Sequence, residues 1–164
     1  MTVLTKDEIT EEHLERIREG AIFIYPTDTI YGIGCDATND ESVEKIRKIK
    51  QRPNDPFSIL VPSKEWIQEH CEPANLDKLP GPYTLILKLK DNPLADNVTN
   101  NNKIGIRYPD HWFSKIVNSL NIPIITTSVN KAGKPNMTSL KDLNPDIEDQ
   151  VEFIIYEGPK SGKP

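Results

Sequence analysis

Apolar residues recur along the chain in two periods. Ile9, Leu14 and Ile17 lie on or near one helical face, with Thr10 placed as an N-cap and Gly20 as a stop, so the spacing predicts a helix from Thr10 to about Glu19. Ala21-Ile22-Phe23-Ile24-Tyr25 is then continuously apolar, as in a strand covered on both faces. Val43, Ile46 and Ile49 return to the helical period and predict a second helix from about Asp40 to Lys50. Shorter runs predict strands at Phe57 to Val61, Tyr83 to Leu89, Ile104 to Tyr108, Ile122 to Thr127 and Val151 to Tyr156, with helices near Lys64 to His70 and His111 to Leu120. Strands interleaved with helices make an α/β fold, one domain around a central sheet. Tyr83 to Leu89 alternates in part rather than running fully apolar, so the sheet is expected to be mixed, not purely parallel.

Composition narrows the class. With 164 residues the chain can bury a real core, and 27% charged against 36% hydrophobic is polar for a globular domain without being disordered. No internal repeat, low-complexity tract or linker divides it, and many of its 14 prolines sit at the edges of apolar runs. Apolar runs stay below the roughly 18–20 residues of a membrane span. No signal-peptide core follows Met1, and two cysteines are too few for a disulfide framework or zinc site, so a soluble, cytoplasmic protein with no membrane partner is expected. A net charge of −5 argues against a dedicated duplex-DNA binder but leaves room for a local basic groove.

The informative polar residues stand just beyond the strand ends, where α/β sheets place ligand sites. Pro26-Thr27-Asp28-Thr29-Ile30-Tyr31-Gly32-Ile33-Gly34 offers two hydroxyls, a carboxylate and glycines that allow close backbone approach; a turn bonded to itself explains the same residues. Lys50 and Arg52, where the second helix gives way to Pro53, pair a compact cation with a planar fork and suit a polyanion; complementing the helix dipole is an equal reading. Arg107 stands inside the apolar strand Ile104-Gly105-Ile106-Arg107-Tyr108 and needs an anionic partner, either an internal carboxylate or that of a ligand. Thr126 and Ser128 share one face of an extended segment, and Thr127, Gly133 and Asn136 follow as a polar rim that turn chemistry also explains.

Three motifs are set aside. Gly158-Pro159-Lys160-Ser161-Gly162-Lys163 imitates a P-loop but has Glu157 where glycine is needed and no Ser or Thr after the lysine. His13, His70 and His111 lack ligand spacing, so no protein metal site is expected, and Cys35 reads as a small core residue.

Five segments in order are specific where each alone is not: Tyr25 to Gly34, Lys50-Gln51-Arg52-Pro53, Leu79-Pro80-Gly81-Pro82-Tyr83-Thr84, Ile104 to Pro109, and Thr127-Ser128-Val129-Asn130-Lys131-Ala132-Gly133. Together they resemble the YrdC/TsaC family of threonylcarbamoyl-AMP synthases, over nearly the whole chain from Thr10 onward. The resemblance implies a twisted mixed parallel and antiparallel sheet flanked by helices, with a large concave basic cleft. It implies condensation of L-threonine, bicarbonate and ATP to threonylcarbamoyl-AMP and pyrophosphate, the first step toward N6-threonylcarbamoyladenosine in tRNA, with tRNA-modifying proteins downstream.

Matched residue by residue, Lys50 and Arg52 correspond to the family's catalytic basic pair on the ATP phosphates. Thr29, Arg107 and Thr126 correspond to its threonine contacts, and Ser128 and Asn136 to positions on the nucleotide. Magnesium is expected to be held mainly by the ATP phosphates. The turn Pro53-Asn54-Asp55-Pro56 is shorter than the common family version and leaves the family's ATP-contacting asparagine without an assigned counterpart. One YrdC-like domain over residues 1–164, lacking the family's final C-terminal Ser-Thr segment, is the expected organisation. A double-stranded RNA or tRNA binding module, and a paralogue with other carbamoyl-transfer chemistry, are the competing readings.

Overall fold

The computed structural model describes residues 2–163, and its centre is one mixed sheet. In chain order the strands are β1 (Thr2–Leu4), β2 (Phe23–Pro26), β3 (Tyr31–Gly34), β4 (Ser58–Leu60), β5 (Leu85–Lys88), β6 (Lys103–Arg107), β7 (Ile124–Ser128) and β8 (Phe153–Ile155). They lie side by side in the order β1-β8-β2-β3-β7-β4-β6-β5. β1–β8, β8–β2 and β4–β6 are parallel, and the remaining neighbours antiparallel. The helices are α1 (Glu11–Arg18), α2 (Asp40–Lys50), α3 (Lys64–His70), α4 (Phe113–Leu120) and α5 (Pro145–Glu148).

Local chemistry fixes the helix bounds. The Asn39 side chain accepts from the Ser42 N–H at the start of α2, Asp40 and Glu41 occupy its first turn, and Arg47, Lys48 and Lys50 its last, each sign at the favourable end of the dipole. Gln51 ends it in the left-handed region at φ 58°. Ser63 caps α3 by accepting from the Trp66 N–H. Both helices fall on the bounds their sequence pattern predicts. The partial alternation of residues 83–89 also has its explanation: β5 is an edge strand, with Ile86 exposed and Leu87 buried.

Tyr31–Gly34 departs from expectation, since it reads as a ligand-binding loop and is a fully buried strand. Its glycines hide the period of two but are required: a Cβ on Gly34 would fall 2.0 Å from the Ile125 carbonyl oxygen, and one on Gly32 2.9 Å from the Tyr25 ring. β1 and α5, with three and four residues, are too short to show a period and are also absent from the sequence reading.

The two faces of the sheet are covered unequally. On one, Ile33, Ile59, Ile104, Ile106 and Ile125 join Val43, Ile46 and Ile49 of α2 and Ile67 of α3 in one buried cluster. On the other, Phe23, Tyr25, Leu60, Ile124 and Phe153 pack with Ile17 of α1 and with Phe113, Val117 and Leu120 of α4, the rings of Tyr25 and Phe113 stacking at 4.9 Å. Beyond this cluster the same face carries Ser58, Gly105, Arg107, Thr126 and Ser128, which alternate with the first cluster's isoleucines along β4, β6 and β7. A polar floor thus begins where the α1–α4 cover ends.

Candidate active site

The turn between β2 and β3 is built by one buried hydroxyl. Thr27 Oγ1 donates to the Ile30 carbonyl at 2.6 Å and accepts from the N–H groups of Thr29 and Ile30, both at 3.2 Å. The turn presents Asp28 and Thr29 to Arg107 at the end of β6. Arg107 Nη2 donates to Asp28 Oδ1 at 3.3 Å and to Thr29 Oγ1 at 3.2 Å. Asp28 Oδ2 accepts from the Asp110 N–H at 3.1 Å, so this carboxylate is held from two sides. Arg107 is only 9% exposed, and its Nε is buried without a partner. Such a donor is costly in a closed protein and useful in a ligand site.

Beside Arg107 lies a cavity of about 190 Å³. Thr27, Ile30, Tyr31 and Gly32 form one wall, Thr126, Thr127 and Ser128 of the neighbouring strand the wall next to it, and Ser58 and Thr84 complete it with Arg107. One cation among hydroxyls and backbone suits a small ligand that carries a carboxylate and further polar groups.

Lys50 approaches this wall from behind. Its ammonium is fully buried and donates to Ser128 O at 2.5 Å, Ser128 Oγ at 3.3 Å and Asn130 Oδ1 at 2.7 Å. Ser128 Oγ donates to the same Asn130 oxygen at 2.8 Å, and Asn130 Nδ2 to the Lys134 carbonyl at 2.6 Å. Burial and then the nearby charge of Arg52 pull the Lys50 pKa down to about 8. Arg52 turns away, donating from Nε and Nη2 to Asp55 Oδ2 at 3.1 and 2.9 Å, and lines a second hollow of about 390 Å³ with Asn54, Asp55, Asn130 and Gly133. Asn136 borders a third, of about 450 Å³, with Asn130, Lys134 and Lys141. Where the resemblance implies one basic cleft, three hollows therefore adjoin through Ser128 and Asn130.

Arg107, Thr126 and Ser128 come together at the first hollow, with Thr29 joined through Arg107 and Lys50 through Ser128, whereas Arg52 and Asn136 stand in the next two. Among the described residues Lys50 and Arg52 share no hydrogen-bond partner. Ser58 and Asn130 have no role in the sequence reading, although Asn130 lies two residues beyond Ser128, and Asp28 enters it only as the carboxylate of the Pro26–Gly34 segment.

The segment set aside as a P-loop imitation is irregular, bends at Gly158 with φ 99°, and packs against Tyr31. Tyr31 Oη donates to the Gly158 carbonyl at 2.6 Å and accepts from the Glu157 N–H at 2.9 Å. The Glu157 carboxylate accepts from His111 Nε2, Trp112 Nε1 and Lys160 Nζ at 2.7, 2.8 and 2.6 Å. Partial burial opposes its charge, yet these three donors prevail and hold its pKa at about 2. Gly162 lies so near the β2–β3 turn that a Cβ there would be 2.3 Å from the Thr29 carbonyl oxygen. Cys35 and Cys71 are free and buried, and burial raises both thiol pKa values. Among the described residues no three His, Cys, Asp or Glu side chains cluster to hold a metal, and no helix is long and apolar enough to cross a membrane.

Comparison with known proteins adds a family. The model of the Sua5_yciO_yrdC family, described as Telomere recombination, matches residues 15–164. A Methanocaldococcus jannaschii protein named putative threonylcarbamoyl-AMP synthase is 36% identical over 96% of this chain and 82% of its own length. The Bacillus subtilis threonylcarbamoyl-AMP synthase is 31% identical over 94% of this chain and 48% of its own. The crystal structure of P. abyssi Sua5 complexed with L-threonine superposes with a TM-score of 0.82 at 27% identity, over 97% of this chain and 50% of that one. The chain thus spans most of the first relative and about half the length of the other two.

Proposed function

The chain belongs to the Sua5/YciO/YrdC family, and from that premise we propose that it is a threonylcarbamoyl-AMP synthase acting toward N6-threonylcarbamoyladenosine in tRNA. The observation that carries this is Arg107: a buried guanidinium whose Nε–H, among the described residues, is sealed without a partner, beside a hydroxyl-lined cavity of amino-acid size. L-threonine binds there with its carboxylate on Arg107, and Thr29 and Thr126 beside it. Its amino nitrogen attacks the carbon of bicarbonate, water leaves, and a carbamate forms. A carbamate oxygen then attacks the α-phosphorus of ATP and pyrophosphate departs. In this reading the phosphates lie toward Lys50 and Arg52, and the nucleotide follows the hollows bordered by Asn130 and Asn136, with Ser128 at the junction. Catalysis is mostly positioning and charge compensation.

Lys50 must exchange part of its present bonding to Ser128 and Asn130 for phosphate, and its charged form has to be retained while it does so. Among the described residues no three His, Cys, Asp or Glu side chains gather, a donor set that fits a magnesium ion carried by the nucleotide rather than caged by protein. Bound with the phosphates, that ion offsets their charge. The free cysteines suit a cytoplasmic setting.

RNA binding on the same face is a second reading with one observation in its favour. Lys88 and Lys103 are exposed Cα partners on β5 and β6, like charges directly opposite, which a polyanion would relieve.

The deciding experiment incubates the protein with ATP, magnesium, L-threonine and labelled bicarbonate, and follows labelled adenylate and pyrophosphate together. Product that requires both threonine and bicarbonate is expected. Absence of product together with absence of threonine binding overturns the reading, and salt-sensitive RNA binding in that case favours the second.

A further inference from the structure

Ser58 is the single polar residue of the apolar run Phe57-Ser58-Ile59-Leu60-Val61. β4 sets it in register with Gly105 of β6 and Thr126 of β7, so its side chain stands on the polar half of the sheet face, in the wall of the Arg107 cavity. Among the described residues its hydroxyl has no protein hydrogen-bond partner and is not sealed from the cavity. The neighbour that leaves it room is Gly105: a Cβ there would lie 2.4 Å from Ser58 Oγ and 3.2 Å from Thr84 Cγ2.

A serine buys no packing in a short apolar strand, and an uncommitted hydroxyl in a ligand cavity can both donate and accept. With a ligand carboxylate on Arg107 and its amino group toward Ser128, the wall left to meet the amino-acid side chain is the one formed by Ser58, Thr84 and Thr126. We propose that Ser58 is a specificity-determining residue whose hydroxyl hydrogen-bonds the side-chain hydroxyl of the bound amino acid, so that the cavity prefers a β-hydroxy amino acid to its deoxy analogue. The inference rests on the reading of this cavity as an L-threonine site. An analogue without the hydroxyl would leave the Ser58 group unpaired as the ligand closes over it, which is how a polar wall rejects a close isostere.

The test is calorimetric titration of L-threonine and of L-2-aminobutyrate, which keeps the carbon skeleton and lacks the hydroxyl, into the parent chain, Ser58→Ala and Gly105→Ala. The parent should prefer threonine. Ser58→Ala should weaken threonine about tenfold, leave aminobutyrate unchanged and collapse the preference. Gly105→Ala, which crowds the same hydroxyl, should shift the preference in the same direction and supplies the test should Ser58→Ala fail to fold. Unchanged ATP affinity and unfolding midpoint show that the site is otherwise intact. An unchanged preference in the variants, equal weakening of both ligands, or a parent without preference overturns the role of Ser58 alone. A folded parent that binds neither amino acid overturns the reading of the cavity, and the role of Ser58 with it.

Discussion

Two buried arginines, one on each side of the Pro53–Pro56 turn, show how the same side chain serves two ends. Arg47 of α2 is 6% exposed and spends every donor on backbone: Nε on the Asn97 carbonyl, Nη1 on those of Arg52 and Asp55, Nη2 on those of Asn97 and Val98. Its guanidinium also covers the Phe57 ring at 4.3 Å. Arg107 is 9% exposed and bonds only through Nη2, with a buried Nε left over. Burial therefore does not tell these two arginines apart; the count of satisfied donors does.

The sharpest way to break this contrast is Arg47→Ala. Four carbonyl oxygens lose a donor at once, only that of Val98 keeping another in the Phe57 N–H, and a loss of about 3 kcal/mol or more is expected in urea unfolding, with Arg47→Lys recovering little. A stability equal to the parent's would end the distinction. Arg107→Ala should do the reverse, leaving the unfolding midpoint within about 1 kcal/mol of the parent while L-threonine affinity falls about 100-fold, the worth of a paired carboxylate contact.

Lys50 extends the comparison to a cation that is buried, fully bonded and still proposed for ligand. Its folded pKa of about 8 lies below the ordinary 10.5, so between those values the unfolded chain binds more protons. Stability should accordingly rise as pH climbs through that window, and the rise should flatten in Lys50→Met, read from unfolding curves at a series of pH values. ATP affinity should move oppositely, declining several-fold as pH passes about 8, because phosphate needs the ammonium form. The smallest expected effect belongs to Asp28. Asp28→Asn keeps an oxygen for Arg107 but loses the charge and disturbs the bond from Asp110, so a three- to fivefold rise in KM for threonine is expected, with KM for ATP unmoved (roughly one weakened polar contact). A shift in both constants would make Asp28 a general structural residue.

Much of this architecture is legible in the amino-acid order. α2 and α3 carry their own caps in Asn39 and Ser63, and Arg107 announces itself as a charge inside an apolar strand. β3 stays hidden because Gly32 and Gly34 carry no side chain from which a period of two can be read. The bonding of Lys50 is equally hidden, since its partners Ser128 and Asn130 lie 78 and 80 positions further along and meet it only once β7 is in the sheet. What a cation touches is set by tertiary register, and local sequence reports only that the cation is present. The same limit covers Ser58, whose neighbours Gly105 and Thr126 arrive from two other strands.

The contact of Gly162 with the Thr29 backbone has a practical side. Gly162 lies beside the turn that carries Asp28 and Thr29, whereas β1 is separated from β2 by β8, at the opposite margin of the sheet from β5. A bulky label placed at Gly162 would therefore press on the turn that presents Asp28 and Thr29 to Arg107, and one placed on β1 would leave that turn undisturbed.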